Sequence, residues 1–319
     1  MRVFVAGGTG AIGRQLVPKL LALGHEVVAT TRSSAKLGEI RAWGADAMVM
    51  DGLDPASVMA AVGAARPEVV VHQMTALASV SNLRHFDREF AVTNRLRTEG
   101  TRYLLEAAEK AGARRVVAQS FTGWANERVG SPVKDETAPL DPHPPKTMRQ
   151  GLAAIAGLEK AVTAARGVEG LVLRYGNFYG PGSAAFLDAV RRRKLPVVGA
   201  GTGLWSFIHL IDAADATIAA LDRGTPGLYN VVDDEPAPAA EWIPYLAEVA
   251  GAKPPLHVPA WVGRLAAGEA VVSMMTEARG SSNSKAKAQL GWALRYPSWR
   301  QGFRAWVAEE PGPKLRQAA

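Results

Sequence analysis

The chain has 319 residues, of which 48% are hydrophobic and 21% charged, and this composition excludes fibrous, collagen-like and wholly disordered proteins. It contains no cysteine, so thiol catalysis, disulfides and cysteine-ligated metals are also excluded. The net charge of +7 is compatible with a phosphorylated ligand, a nucleic acid or simple solubility. No stretch approaches 18 uncharged apolar residues and no signal-peptide pattern follows Met1, which predicts a cytoplasmic protein with no membrane partner.

Strands and helices alternate along the first half of the chain. Short apolar runs predict strands at 3–6, 27–31, 47–50, 69–72, 115–119 and 171–173. Amphipathic segments between them predict helices, among them 12–23, 94–111 and 152–165. This alternation is typical of an α/β protein with a Rossmann-type, doubly wound parallel sheet.

The rhythm changes after Gly176, where prolines and glycines cluster and only short elements follow. A strand over 207–211, a helix over 213–221 and a strand over 227–232 are predicted here. We interpret residues 1–175 plus 207–235 as an NADP-binding Rossmann domain. Residues 176–206 plus 236–319 form a smaller, interwoven substrate-capping domain in this interpretation. The last residues, 310–319, are expected to be a loose tail.

Three glycines form the pattern G-x-x-G-x-x-G between the first strand and the first helix. The first glycine allows a tight turn, the second lets the backbone approach a pyrophosphate, and the third lets helix pack on strand. The N-terminus of the helix then faces the phosphates. A turn of this kind at the start of a βαβ unit predicts dinucleotide binding by Gly7, Thr9, Gly10, Ala11, Ile12 and Gly13.

The end of the second strand indicates which dinucleotide binds. A cofactor with a free ribose 2′-hydroxyl usually meets an aspartate or glutamate there. This chain has Arg32, Ser33 and Lys36 instead, and a guanidinium suits a 2′-phosphate that an acid would repel. We therefore predict NADP(H), with Arg32 and Ser33 as ligands; a solvated loop arginine is the alternative. Asp51 and Gly52 are expected at the adenine edge, where a turn-forming aspartate is the alternative.

Several motifs in order along the chain carry a family resemblance. They are the glycine turn, V-V-V-H-Q-M-T-A from Val69, L-R-Y-G-N-F-Y-G-P-G from Leu173, F-I-H-L-I-D-A-A-D-A from Phe207 and L-G-W from Leu290. With them the chain resembles extended short-chain dehydrogenase/reductases of the NAD-dependent epimerase/dehydratase type. The resemblance implies further contacts to the cofactor from Gln73, Met74, Thr75, Asn94, Tyr175, Asn177 and Phe178.

The chain departs from this family at the residues that usually move a proton. Family members carry Ser or Thr after strand five and Tyr-x-x-x-Lys on the next long helix. Here Phe121 occupies the hydroxyl position, and Gly151 and Ile155 occupy the Tyr and Lys positions. No tyrosine lies between Tyr103 and Tyr175, so no alignment of that helix restores the motif. The chain is thus an atypical member, similar to the few ketoreductases that lack the dyad.

The remaining chemistry is hydride transfer from the cofactor, with a substitute for the missing acid. The predicted catalytic residues that could substitute for it are Ser120, Thr122 and Gln150. The hydroxyl of Thr75, or a hydroxyl of the substrate itself, is a further candidate. An apolar substrate pocket is expected from Phe121, Trp124, Met148, Phe186 and Trp205, although each of these side chains is equally suited to a core. The leading prediction is an NADPH-dependent ketoreductase of a hydrophobic, aromatic carbonyl compound.

Two other functions remain open at this point: a non-catalytic NADP-binding sensor, and a nucleotide-sugar epimerase or dehydratase. The six histidines show no metal spacing, so no metal site is predicted. The basic run over 191–194 is interpreted as a solvated helix end, and no nucleic-acid partner is predicted. His209 and Asp212 are expected to be structural. The helices that correspond to 94–111 and 152–165 often form the dimer interface in relatives. The oligomeric state is therefore left open between a monomer and a homodimer.

Overall fold

A computed structural model of the chain describes residues 1–77 and 82–310. Its centre is a seven-stranded sheet in which every neighbouring pair is parallel, in the order β12-β7-β5-β4-β1-β2-β3. The strands are β1 (Arg2–Ala6), β2 (Glu26–Thr31), β3 (Asp46–Val49), β4 (Val69–His72), β5 (Arg115–Phe121), β6 (Val133–Lys134), β7 (Glu169–Tyr175), β8 (Asn177–Tyr179), β9 (Val197–Val198), β10 (Leu204–Trp205), β11 (Phe207–His209), β12 (Gly227–Val231), β13 (Ala237–Pro238), β14 (His257–Val258) and β15 (Gly280–Ser281).

Helices cover both faces of this sheet. They are α1 (Ala11–Ala22), α2 (Leu37–Ala42), α3 (Pro55–Ala65), α4 (Phe86–Glu89), α5 (Ala91–Arg95), α6 (Thr101–Lys110), α7 (Arg149–Thr163), α8 (Ala184–Arg191), α9 (Leu210–Ala219), α10 (Ala239–Val249), α11 (Ala260–Ala267), α12 (Glu269–Thr276), α13 (Ser284–Leu290) and α14 (Trp299–Glu309). Helices α1 and α9 pack on one face of the sheet, and α3 and α6 on the other. The middle of each central strand is apolar because both faces of the sheet are covered, while buried polar residues such as Arg115, Ser120 and Arg174 lie toward the strand ends. The predicted fold class is confirmed.

The helix predicted over 94–111 is present and continuous, but it contains a π turn that the sequence does not predict. Helix α5 ends at Arg95, a π turn spans Leu96–Gly100, and α6 begins at Thr101. A π turn closes its hydrogen bonds over five residues rather than four, so it inserts one residue without unwinding the helix. Arg97 lies in this turn and is buried.

The strand predicted over 207–211 ends at His209, where α9 begins. The Nδ1 atom of His209 accepts a hydrogen bond from the amide of Ile211 at 3.1 Å, and so caps the helix. One turn later, the Asp212 carboxylate accepts hydrogen bonds from the amides of Arg295 and Tyr296 at 2.7 and 3.0 Å. Both side chains therefore fix backbone segments, which is a structural role.

A second apolar core is built from the later part of the chain. Its largest buried side chains are Tyr179, Trp242, Trp299, Phe303 and Trp306. Two-residue or three-residue strand pairs, β8 with β11, β9 with β14, β10 with β13 and β6 with β15, join segments that are distant in sequence. The proposed division into two domains stays a prediction.

Two findings concern only the residues that the structure describes. No helix among them is long and apolar enough to cross a bilayer. No group of three or more histidine or acidic side chains among them is arranged to hold a metal ion. The predicted tail, apart from Glu310, lies outside the described residues.

Candidate active site

A cleft of about 320 Å³ opens at the carboxyl ends of β1, β2 and β4. This is the edge of a parallel sheet at which ligands bind in open α/β folds. Predicted cofactor residues that line it are Gly7, Thr9, Gly10, Arg32, Ser33, Asp51, Gly52, Gln73, Met74 and Thr75. Lys36 also lines the cleft, as do six residues that the sequence analysis did not assign: Thr30, Thr31, Met50, Leu53, Ala76 and Leu96. The sequence marks most of these six only by their position at or just after the end of a strand.

The glycine turn leaves room for backbone alone. Gly7 has φ +93°, and a Cβ there would lie 2.8 Å from the carbonyl oxygen of Gln73. A Cβ at Gly13 would lie 2.3 Å from the carbonyl oxygen of Gly8. No side chain caps the N-terminus of α1 at Gly10, so its first amides remain available to an anion. This cradle fits the pyrophosphate of a dinucleotide.

Two buried side chains that the family resemblance assigns to the cofactor, one of which, Gln73, lines the cleft, have polar atoms without a partner among the described residues. These atoms are Oε1 of Gln73 and both amide atoms of Asn94. Buried polar atoms are normally hydrogen-bonded, so a ligand or water is expected at each of them. The Nε2 atom of the same Gln73 amide lies 3.5 Å from the hydroxyl of Tyr175.

Tyr175 itself is fully buried, and its hydroxyl lies 2.6 Å from that of Thr217. Burial raises the pKa of Tyr175 to about 12, so the phenol stays protonated at neutral pH. Among the other predicted contacts, Asn177 and Phe178 are half-buried in β8, and the Asn177 amide donates to the carbonyl of Ser206 at 3.0 Å. Ile12 is buried in the first turn of α1, whereas Ala11 is exposed there.

The end of β2 presents positive charge to the cleft. Arg32 and Lys36 are both exposed, and neither forms an ion pair within residues 1–77 and 82–310. The amide of Ser33 donates to Oγ1 of Thr31 at 3.3 Å. Asp51 is the only acidic residue lining the described cleft, and its Oδ1 accepts a hydrogen bond from the amide of Leu53 at 3.0 Å. Asp51 therefore stabilises a turn through Oδ1, and its other carboxylate oxygen, Oδ2, can accept a hydrogen bond from a ligand.

The three candidate proton donors lie in different environments. Ser120 is buried and donates to Oε1 of Glu159 at 2.8 Å. Thr122 is buried, with its hydroxyl 2.6 Å from that of Ser281. Gln150 is exposed in the first turn of α7. The two hydroxyls are thus engaged inside the protein, and the assignment of all three residues to catalysis stays a prediction.

Glu159 is the centre of a buried ionic network below these strand ends. The guanidinium of Arg174 donates to both of its carboxylate oxygens, at 2.7 and 2.6 Å. Arg97 is also buried, and its Nη1 has no hydrogen-bond partner in the described part of the chain. Burial lowers the pKa of Arg97 to about 10, and the charge of Glu159 opposes that shift. The network therefore holds two guanidinium groups against one carboxylate.

Aromatic and apolar side chains fill the positions that the family resemblance assigns to the Tyr and Lys. A Cβ at Gly151 would lie 3.0 Å from Cε1 of Phe86. The Phe86 ring stacks on Phe90 with centroids 4.1 Å apart and meets Trp124 edge-on at 5.2 Å. Ile155 is fully buried in an apolar cluster. Phe86 is not assigned to the site by the sequence, because nothing in the local pattern distinguishes it from the other apolar residues between α3 and α5.

The expected substrate-lining side chains divide into two groups. Trp124 and Met148 lie in one cluster, which also contains Phe86 and Met274, and Phe121 approaches Trp124 at 6.0 Å. Trp205 packs on this cluster and also on Trp242 of the second core, with centroids 5.0 Å apart. Phe186 packs in the second core instead, where its ring stacks on Trp306 at 6.2 Å. The first group packs on Ala270 and Met274 of α12, and its assignment to the substrate site stays a prediction.

The sheet order and the glycine turn at its first strand define a Rossmann-type nucleotide-binding fold. A model of the NAD dependent epimerase/dehydratase family matches residues 3–231. The chain belongs to this family, and the predicted resemblance to extended short-chain dehydrogenase/reductases is confirmed.

Named relatives narrow the class further. The 3-diazoavenalumate denitrifying reductase of a Streptomyces species is 47% identical over 315 residues, which cover 95% of this chain and 99% of that protein. The 4-hydroxy-2-methyl-3-oxo-4-farnesyl-3,4-dihydroquinoline-1-oxide ketoreductase of Stigmatella aurantiaca is 31% identical, over 84% of this chain and 79% of that protein. A human epimerase family protein solved with NADPH shares the fold, with a TM-score of 0.76 and 21% identity over 97% of this chain and 100% of that one. The chain is an oxidoreductase.

Proposed function

We propose that this protein is an NADPH-dependent reductase that transfers a hydride to a hydrophobic aromatic substrate without a Tyr/Lys dyad. The observation that carries the proposal is the packing where the dyad is expected. Gly151 packs on the ring of Phe86, and Ile155 is buried among apolar side chains. Such a site suits a reaction that consumes a hydride and no proton. NADPH supplies the hydride when it is bound.

A diazo group meets that requirement, whereas a ketone does not. Reduction of a ketone places a hydride on carbon and a proton on oxygen, and a general acid typically contributes a factor of roughly 10² to 10⁴ to such a step. An arenediazonium ion already carries a positive charge, so a hydride alone neutralises it. A new N–H bond forms at the terminal nitrogen, and the resulting diazene loses N₂ and leaves the arene. One arenediazonium and one NADPH thus give one arene, one N₂ and one NADP⁺.

We therefore propose an arenediazonium as the substrate class. The 47% identity to a reductase whose name specifies a diazo substrate and denitrification supports this choice. Trp124 is half-buried at the edge of the cluster that contains Phe86 and Met148, and its ring offers a partner on which an aromatic substrate can stack.

The test is the reduction of benzenediazonium by the purified protein with NADPH. We expect the protein to accelerate formation of benzene and N₂, with one NADPH consumed per benzene and no measurable solvent deuterium isotope effect on the hydride step. The direct reaction of NADPH with the diazonium salt is measured without protein and subtracted. Benzene formation at the rate of that direct reaction would contradict the proposal.

The preference for NADPH over NADH is proposed from Arg32 and Lys36. Arg32→Glu replaces a cation with a carboxylate that repels the 2′-phosphate. We expect the Kd for NADPH to rise about 100-fold, which corresponds to about 2.7 kcal/mol, and the Kd for NADH to change little. Titration calorimetry with both cofactors measures this ratio.

Arg41→Glu is the matched control, because it makes the same charge change at an exposed position of α2 outside the cleft. Its effect on the two Kd values should be small and equal. If Arg32→Glu weakens the binding of NADH as much as that of NADPH, Arg32 does not recognise the 2′-phosphate.

Ketone reduction is the second candidate. The ketoreductase relative supports it, because that protein's name places a hydroxyl next to the ketone. In this case the substrate hydroxyl would help to meet the charge on oxygen, with Ser120, Thr122 or Gln150 as protein donors. Turnover of hydroxyl-flanked aromatic ketones without reduction of benzenediazonium would favour this candidate. Stabilisation by nucleotide sugars in a thermal-shift assay would favour an epimerase or dehydratase, and NADPH binding with no turnover would favour a sensor.

A further inference from the structure

Helix α11 leaves two large apolar side chains largely exposed on its outer face. Gly263 faces inward, where a Cβ would lie 2.5 Å from Cγ1 of Val198. Because successive residues of a helix are turned by about 100°, the residues two positions before and after Gly263 lie on the opposite side. These are Trp261 and Leu265, and each is 65% exposed. Residues four apart are neighbours on a helix surface, so the two side chains form one apolar patch.

The segment that leads into α11 is joined to the basic run over 191–194. Strand β14 pairs with β9, and the amide of Val197 donates to the carbonyl of Leu256 at 2.8 Å. The Nε atom of Arg193 donates to the carbonyl of Pro254 at 2.9 Å. Leu256 is itself 47% exposed. The basic run therefore lies beside a third exposed apolar side chain, one short strand away from α11.

The two joined segments carry positive charge only. Residues 189–199 and 250–268 contain four arginines and two lysines, and no aspartate or glutamate. Arg191 pairs with Asp188 at 3.6 Å, and acidic residues begin again at Glu269. The exposed cations that form no ion pair within the described ranges of the chain are Arg192, Lys194, Lys253 and Arg264. This part of the protein therefore has a strong excess of positive charge around its exposed apolar side chains.

We propose that the outer face of α11, Leu256 and the basic run together bind the surface of an anionic membrane. Lysine and arginine attract anionic lipid headgroups, and a tryptophan beside leucines suits the boundary between headgroups and acyl chains. Such a contact is peripheral and requires no spanning helix. It differs from the expectation of no membrane partner, which rests on the lack of a spanning segment in the sequence. It is independent of the proposed function.

The chemistry of this surface favours lipid over other partners. Nucleic acid would use the cations, but Leu256 and Leu265 offer no ring on which a base can stack. A second copy of the chain, related by a two-fold axis, would place the same cations against one another. Trp261 and Leu265 also stand out from the helix, and such side chains enter a deformable lipid surface without needing a matching groove.

The first test is co-sedimentation of the full chain with vesicles. One set is phosphatidylcholine alone, and the other is phosphatidylcholine and phosphatidylglycerol in equal parts. We expect binding to the anionic vesicles only, and weaker binding as salt is added. Two double variants should each weaken this binding at least about 10-fold, one by removing charge and one by removing apolar surface. They are Arg192→Gln/Lys194→Gln and Trp261→Ser/Leu265→Ser.

Matched controls make the same kinds of change at exposed positions elsewhere in the chain. They are Arg41→Gln/Lys110→Gln for the charge and Leu23→Ser/Val129→Ser for the apolar surface. Both controls should bind the anionic vesicles as the unmodified protein does. The Kd for NADPH, measured for every variant, should be unchanged and so shows that each one is folded.

The second test locates the contact. Because the chain contains no cysteine, a fluorophore can be attached at a single introduced thiol. Leu265→Cys labelled with nitrobenzoxadiazole should show brighter, blue-shifted emission with anionic vesicles, since the label then leaves water. Leu23→Cys with the same label should show no change.

Equal binding to the two kinds of vesicle would overturn the inference, as would absence of binding to both. Equal binding by the variants and their controls would also overturn it. A lower mass of free Trp261→Ser/Leu265→Ser than of the unmodified protein in light scattering would do so as well, because α11 would then be an interface between copies of the chain.

Discussion

Gly13→Ala is expected to weaken NADPH binding at least about 100-fold, or about 2.7 kcal/mol. The Cβ of alanine would lie 2.3 Å from the oxygen and 2.6 Å from the carbon of the Gly8 carbonyl. Both contacts are with backbone, which cannot rotate away, so α1 must move relative to the turn. The amides at its N-terminus then no longer converge on the pyrophosphate. Calorimetric titration with NADPH measures the loss.

Gly63→Ala provides the matched control. Gly63 lies within α3, and a Cβ there meets no atom within 4 Å. Alanine in an exposed helix interior should stabilise the protein by up to about 1 kcal/mol and leave the Kd for NADPH unchanged. If Gly13→Ala binds NADPH as tightly as this control, the glycine turn is not the pyrophosphate site.

Glu159→Gln is expected to destabilise the protein by about 3 to 5 kcal/mol, as removal of one partner from a buried ion pair generally does. The substitution keeps the size of the side chain but removes the charge that balances the guanidinium of Arg174 and lies near that of Arg97. Two buried cations then remain without a counter-charge. Urea unfolding, followed by circular dichroism, measures the change in the free energy of unfolding.

Glu106→Gln is the matched control, because it removes the same charge from an exposed ion pair instead of a buried one. Glu106 pairs with Arg102 one turn away on the exposed surface of α6, at 3.1 Å. Because exposed pairs of this kind contribute little, Glu106→Gln should change the free energy of unfolding by less than about 0.5 kcal/mol. Similar destabilisation by the two variants would show that the buried network is not electrostatically important.

The sequence predicts the sheet well because a parallel strand covered on both faces has a simple pattern. Val69, Val70 and Val71 are fully buried and form an uninterrupted apolar run that only a central strand requires. The glycine turn is equally readable, since its spacing follows from backbone contacts between neighbours in the chain. Ten of the predicted cofactor residues consequently line one cleft.

Other features depend on contacts that no local pattern contains. The π turn at Leu96–Gly100 leaves the surrounding helical periodicity intact, so the sequence pattern predicts the helix but not the turn within it. The apolar run at Phe207 reads equally well as strand or helix, and only the capping of α9 by His209 ends the strand. The hydroxyls of Ser120 and Thr122 are engaged by Glu159 and Ser281, which lie 39 and 159 residues further along the chain.

The contact between Gly151 and Phe86 also restricts how this chain can change over evolutionary time. The Cβ of any larger residue at 151 would lie 3.0 Å from Cε1 of Phe86, so the Phe86 ring would have to shift to admit it. The carboxylate of Asp87 accepts hydrogen bonds from the amides of Gln150 and Gly151 at 3.0 and 2.8 Å, which opposes a shift of this backbone away from the ring. A smaller residue at 86 would remove the support of Phe90 and Trp124. A larger residue at 151 therefore requires the aromatic cluster around Phe86 to repack, so this packing opposes the return of a tyrosine at the position where the family carries one.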